Sequence, residues 1–203
     1  MKKFKVLLFT ILFMLIAGPA MAQSNSPVQK ASINAAMFYG GEGTTDTFVN
    51  LTTDYENKDQ YILYLEKYNF EKDEYTYGQA IIPKSEVVFD TKKGTVSVNQ
   101  AVSMTHVKWV YDKKGKYYYP IETAAGEEAV NLTWSFNSGD YSYHKSVDKN
   151  IEIGFDEYLQ LARSTYKDYN KVTVSGNIGT KETVDFEYSG GSVLTGSFFT
   201  IIK

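Results

Sequence analysis

The chain has 203 residues, no cysteine, and 24 acidic against 21 basic residues for a formal charge of −3. That length allows one sizeable core, so one domain is the default expectation. The absence of cysteine removes disulfides and thiolate chemistry, and the acidic balance sets nucleic acid aside, because phosphate backbones reward clustered Lys and Arg.

Met1 to Ala22 reads as an export signal: Lys2, Lys3 and Lys5 form a cationic head, Val6 to Ala17 an apolar run, and Ala20-Met21-Ala22 a cleavage site. The run falls short of the ~20 residues a spanning helix needs, and no later stretch reaches that length. Cleavage leaves 18 basic residues against 24 acidic ones, a more acidic product expected to be secreted or periplasmic. Gln23 to Ala31 is polar at its start and contains Pro27, which predicts a flexible tail ahead of one β-rich domain over 32–203.

From Ser32 the β signals begin. Ile33 to Tyr39 and Thr47 to Thr53 are β-prone runs on either side of Gly40-Gly41-Glu42-Gly43, read as a turn. That loop leads to a strand, not a helix, so it lacks the setting of a phosphate-binding loop. Asp54, Glu56 and Asp59 then gather carboxylates before the next strand, the oxygen chemistry a calcium ion takes, although the glycine and distant Glu of a helical calcium loop are missing.

Tyr61 to Ile82 organises the rest. Tyr61, Leu63 and Leu65 alternate with Ile62, Tyr64, Glu66 and Tyr68, and a second arm carries Tyr75, Tyr77 and Ile81. Successive strand side chains point to opposite faces, so this is a hairpin with rings on both sides. Asn69 to Glu74 supplies a turn of several residues, and Pro83 ends the pairing.

Asp90-Thr91-Lys92-Lys93-Gly94 and Asp112-Lys113-Lys114-Gly115 are two turns of one design, with Asp at entry and Gly at exit. Between and after them, Thr95 to Val102, Thr105 to Tyr111 and Lys116 to Ile121 read as strands. Val107, Trp109 and Tyr111 share a face, which makes Trp109 a core candidate; Tyr117-Tyr118-Tyr119 places rings on both faces. Val130, Leu132, Trp134 and Phe136 form the cleanest one-sided strand and should cross the core. Phe155 to Asn170 fits a strand or one short helix, with strand preferred; Lys171 to Ile178, Thr183 to Tyr188 and Val193 to Ile202 are β again, the last two separated by a Ser189-Gly190-Gly191-Ser192 turn.

The fold expected is therefore all-β, a single antiparallel β-sandwich with a β-barrel as the alternative. Catalysis is thinly supplied: two histidines, His106 and His144, without the framing of a nucleophile elbow, and carboxylates too numerous to choose among beyond Glu66 and Glu187, which lie among apolar residues. What stands out is tyrosine, 17 in all. A flat apolar ring with a polar tip suits stacking on sugar rings, and Tyr64, Tyr68, Tyr75 and Tyr118 are the candidate ligand-binding residues, for polysaccharide or a cell-surface ligand. The other readings are a structural or assembly protein of the envelope or extracellular matrix that self-associates through its strands, and a glycoside hydrolase. An export signal, a tyrosine-dense hairpin and Asn131-Leu132-Thr133-Trp134 together resemble small secreted bacterial proteins, a resemblance that covers the middle of the chain and implies no activity.

Overall fold

The computed structural model describes residues 28–54, 57–154 and 157–202, with side chains described outside 28–30, 148–162 and 200–202. The export signal expected over 1–22, the tail residues 23–27 and Glu56 of the candidate metal cluster lie outside the described residues.

Twelve strands make one open antiparallel sheet. They are β1 (Val28–Glu42), β2 (Thr45–Thr53), β3 (Gln60–Asn69), β4 (Glu74–Pro83), β5 (Val88–Asp90) and β6 (Thr95–Asp112), then β7 (Tyr117–Ser135), β8 (Tyr141–Gly154), β9 (Glu157–Tyr169), β10 (Thr173–Ile178), β11 (Lys181–Glu182) and β12 (Tyr188–Ile202). Their order is β11-β10-β7-β6-β4-β3-β2-β1-β12-β9-β8, with β5 beside β6. Among the described residues the helical content is two single 3-10 turns, Lys84–Glu86 and Thr183–Asp185, and no helix is long and apolar enough to cross a membrane. The sheet does not close, which matches the expected all-β sandwich and not the barrel.

The chain divides into two compact units, one of residues 1–31, 145–164 and 197–203, the other of residues 32–144 and 165–196. The smaller comprises the start of β1, the end of β8, the first part of β9 and the end of β12; within it the Ser146 and Ser164 hydroxyls are hydrogen-bonded at 2.7 Å.

In the larger unit the core follows from two-residue alternation. Phe38 of β1, Val49 and Leu51 of β2, Tyr61, Leu63 and Leu65 of β3, Val96, Val98, Val102 and Met104 of β6, and Val130, Leu132 and Trp134 of β7 all bury one face. Trp134 is fully buried and donates its indole N–H to the Met37 carbonyl at 2.7 Å. Strands far apart in the sheet order, β7 and β1, thus meet across the core, as two inner faces do in a sandwich. Tyr61 stacks on Phe89 at 5.8 Å, and Phe136 lies against Tyr169 at 4.3 Å.

Several expected boundaries differ, each for a physical reason. The first strand begins at Val28, so the last residues assigned to the tail run on as strand. It also continues through Gly40 and Gly41 to Glu42, leaving Gly43-Thr44 as the turn with Gly43 at φ 54°. A Cβ at Gly41 would lie 2.2 Å from the Tyr188 ring, so that glycine admits a ring instead of turning the chain. Gly190 and Gly191 behave alike: β12 passes straight through them, and a Cβ at Gly190 would meet the Tyr39 hydroxyl at 2.2 Å and its ring at 2.4 Å. The segment Thr183–Asp185, expected as strand, is a 3-10 turn. Residues 157–169 form strand β9, as preferred over a helix.

Candidate functional site

The β6–β7 hairpin, with β3 and β4, carries the candidate site. The strands expected on either side of Ser103-Met104 are one continuous 18-residue β6, and its partner β7 runs for 19 residues. Their register shifts at Met104/Thr105, where Met104 faces Gly126 but Thr105 faces Ala124. Ala125 is the extra residue, and Gly126, at φ 85°, supplies the left-handed conformation that such a bulge uses. A bulge bends a ribbon, so the distal part is re-aimed from the core-covering part.

β4 pairs with β6 only from Glu74↔Lys108 to Gly78↔Met104. Beyond Lys108 the hairpin is a two-stranded ribbon. Tyr117 to Glu127 is exposed throughout, and Trp109 is 42% exposed. Trp109 is therefore not a core residue: alternation put it on the same face as the fully buried Val107, but among the described residues β4 stops pairing with β6 at Lys108, and the Trp109 ring beyond that point is left open to solvent.

Register then sorts the rings by face. Tyr64, Glu66 and Tyr68 point away from the core, opposite to the buried Leu63 and Leu65. Across β3–β4, Tyr68 faces Tyr75 and Glu66 faces Tyr77; across β4–β6, Tyr75 faces Val107; across β6–β7, Val107 faces Glu122, Trp109 faces Pro120 and Tyr111 faces Tyr118. Directly opposed residues share a face. All four tyrosines singled out from the sequence, Tyr64, Tyr68, Tyr75 and Tyr118, accordingly project from one face of the sheet, joined by Tyr77, Trp109 and Tyr111, which the sequence reading did not assign to it. Tyr75 stacks on Tyr77 at 5.8 Å, and the Tyr111 and Tyr118 rings lie 4.9 Å apart. From the level of Tyr77 to that of Tyr111 is six residues of register, about 20 Å at ~3.4 Å per residue.

Hydroxyls and carboxylates fix several of these rings. Tyr64 donates to Glu66 at 2.5 Å, and burial together with that carboxylate holds its hydroxyl well above the ordinary tyrosine range. Tyr68 donates to Asp73 at 2.9 Å, which raises its pKa. Tyr75 is raised chiefly by burial, with Tyr77, Glu122 and Glu66 adding to it. The outward positions of β2, β3, β4 and the distal hairpin hold Asp46, Glu66 and Glu122 and no Lys or Arg.

The opposite face of the ribbon is different. There Glu74 pairs with Lys108 at 2.9 Å and lies 3.8 Å from His106, whose Nδ1 is 3.3 Å from the Thr76 hydroxyl; the Lys108 ammonium is the main cause of the lowered Glu74 pKa. Tyr117, Tyr119 and Ile121 extend that face.

The remaining candidates are not drawn into a site. Asp54 accepts from the Asn57 N–H at 3.3 Å and Asn57 from the Asp59 N–H at 3.1 Å, a local turn; among the described residues no three His, Asp or Glu side chains are grouped to hold a metal. Glu66 is bonded to Tyr64 on the outward face, while Glu187 is exposed and its N–H donates to the Gly41 carbonyl. His144 is stacked on Tyr166 at 4.7 Å. A separate depression of about 230 Å³ is lined by Thr45, Thr47, Ile178 and Phe186, and its two lysines are neutralised, Lys67 by Glu128 and Lys181 by Glu42.

Comparison with known proteins finds no matching family model, no curated relative and no similar solved structure.

Proposed function

We propose that the protein is an exported binding module whose outward aromatic face takes an extended polysaccharide or a comparable cell-surface ligand. The observation that carries this reading is the convergence of Tyr64, Tyr68, Tyr75, Tyr77, Trp109, Tyr111 and Tyr118 on one face. Rings with polar tips, spread over about 20 Å of strand, match the flat apolar faces and hydroxyl rims of successive sugar rings. The carboxylates among them accept hydroxyl or amine donors, and the outward positions of β2, β3, β4 and the distal hairpin hold no cation to attract an anionic polymer. The ligand class is therefore a neutral or amine-bearing glycan. A hydrolase asks for two carboxylates facing each other across a cleft; Glu66 is already bonded to Tyr64 on the outward face, so binding without turnover is the better reading.

Adsorption to a panel of insoluble glycans tests it. The wild-type protein is expected to be retained on at least one neutral or amine-bearing polymer and not on a polyanionic one, and a Tyr64→Ala, Tyr68→Ala double variant to lose most of that retention. Undiminished retention of the double variant would remove these rings from the site.

A further inference from the structure

The long hairpin leaves an edge. β10 pairs with β7 only from Val130 to Ser135, and the Ala129 carbonyl accepts the Gly179 N–H. From Tyr117 to Glu128 the side of β7 away from β6 has no strand partner among the described residues. Every second residue there turns a backbone N–H and C=O outward, the arrangement that templates another strand. Natural edges are blunted by being short, by charges in mid-strand or by proline. This one runs for a dozen residues and carries exposed Tyr117, Tyr118, Tyr119 and Ile121. Pro120 removes one donor, Glu122 sets one charge at mid-strand and the bulge at Ala125 bends the base, so the stretch open to regular pairing is Tyr117 to Ala124.

We infer that this edge pairs antiparallel with the same edge of a second copy of the chain, giving a two-fold dimer that joins two sheets. The partner is identified by charge. The edge is bipolar: Lys113, Lys114 and Lys116 lie at its tip end and Glu127 toward its base, while Glu122 stands at mid-strand and Glu128 is already paired with Lys67. Antiparallel pairing of two copies sets the basic end of each against the acidic end of the other. Parallel pairing would set lysines on lysines and glutamates on glutamates, which is repulsive. An isologous seam uses the same patch on both partners, so a self-complementary edge is what a two-fold dimer requires. Rings on both faces would also be covered by cross-strand neighbours, whose Cβ atoms stand about 5 Å apart. One strand seam lies at the small end of stable interfaces, so the dimer is weak and concentration-dependent.

The test is sedimentation over protein concentrations from about 1 µM to about 500 µM, the span in which a weak dimer fills. Wild type is expected to pass from monomer to dimer. Lys114→Glu, Lys116→Glu and, separately, Glu127→Lys are each expected to weaken self-association at least about tenfold, since like charges then face each other. Mixing the two variants restores a dimer, because the reversed ends are again complementary. Hydrogen exchange on the wild type is independent of any variant's folding: outward amides between Tyr117 and Ala124 should gain protection as concentration rises. A wild-type monomer throughout, a mixture that stays monomeric while the wild type dimerises, or amides whose exchange ignores concentration would each overturn the inference.

Discussion

Replacing Trp134 with Phe tests how the core is held. The substitution deletes the indole N–H that bonds the Met37 carbonyl at 2.7 Å, and it does so where the side chain has no solvent exposure. A buried carbonyl left without its donor costs about 1–3 kcal/mol, and the smaller ring leaves unfilled volume that adds about 1 kcal/mol. The sum, about 2–4 kcal/mol, is a large part of the 5–15 kcal/mol typical of a domain. Urea unfolding followed by far-ultraviolet circular dichroism measures it. With a slope of about 2 kcal/mol per molar, the midpoint should fall by about 1–2 M. Trp109→Phe is the control: that ring is exposed on the ribbon, and its replacement should stay within about 0.5 kcal/mol. Because the chain has only these two tryptophans, each variant also isolates the emission of the other. Trp134 alone should emit blue-shifted and resist quenching by acrylamide; Trp109 alone should be red-shifted and readily quenched. A Trp134→Phe midpoint equal to wild type, or Trp109→Phe the more damaging of the two, would refute the assignment of which tryptophan is inside.

Two further outcomes follow from single positions. Gly176 sits at φ 119° in β10, where an added Cβ would lie 2.0 Å from the Asn131 carbonyl oxygen, so Gly176→Ala should destabilise the fold by about 1–3 kcal/mol through strain and separation of β10 from β7, read as a lowered urea midpoint. Tyr188 donates to Asp46, and that bond pushes its pKa up to about 12. A raised folded-state pKa means that its contribution is fully present below the unfolded tyrosine value near 10 and is lost as pH rises toward the folded one; the wild-type advantage over Tyr188→Phe should therefore vanish in alkaline unfolding curves and persist at neutral pH.

Fold class was legible because alternation is local. Val130, Leu132 and Trp134 announce a one-sided strand, and each is fully buried. Whether a face is covered is not local, which is why Trp109 misleads: its alternation with Val107 is sound, but cover depends on where β4 stops pairing, at Glu74 opposite Lys108. Glycine pairs mislead in the same way. Gly40-Gly41 and Gly190-Gly191 have the composition of turns, yet they are strand positions cleared for Phe186, Tyr188, Tyr39 and Val174, and a side chain arriving from a distant part of the chain leaves no mark beside the glycine it meets. The second Asp-Lys-Lys-Gly turn shows the limit at finer scale: Asp112 caps it as expected, accepting from Lys114 and Gly115, but the left-handed residue is Lys116 at φ 55°. Of the aromatic face, the sequence exposed the tyrosines and hid their register, because a cross-strand pair such as Tyr111 and Tyr118 is fixed only once the hairpin length and its bulge are known.

The most direct measurement uses the two faces of the exposed ribbon against each other. On the glycan that retains the wild-type protein, retention should fall sharply for a Trp109→Ala, Tyr111→Ala, Tyr118→Ala variant and stay near wild type for Tyr117→Ala, Tyr119→Ala, with both variants showing wild-type circular dichroism. Equal losses from the two faces, or loss confined to the Tyr117 and Tyr119 face, would contradict the account.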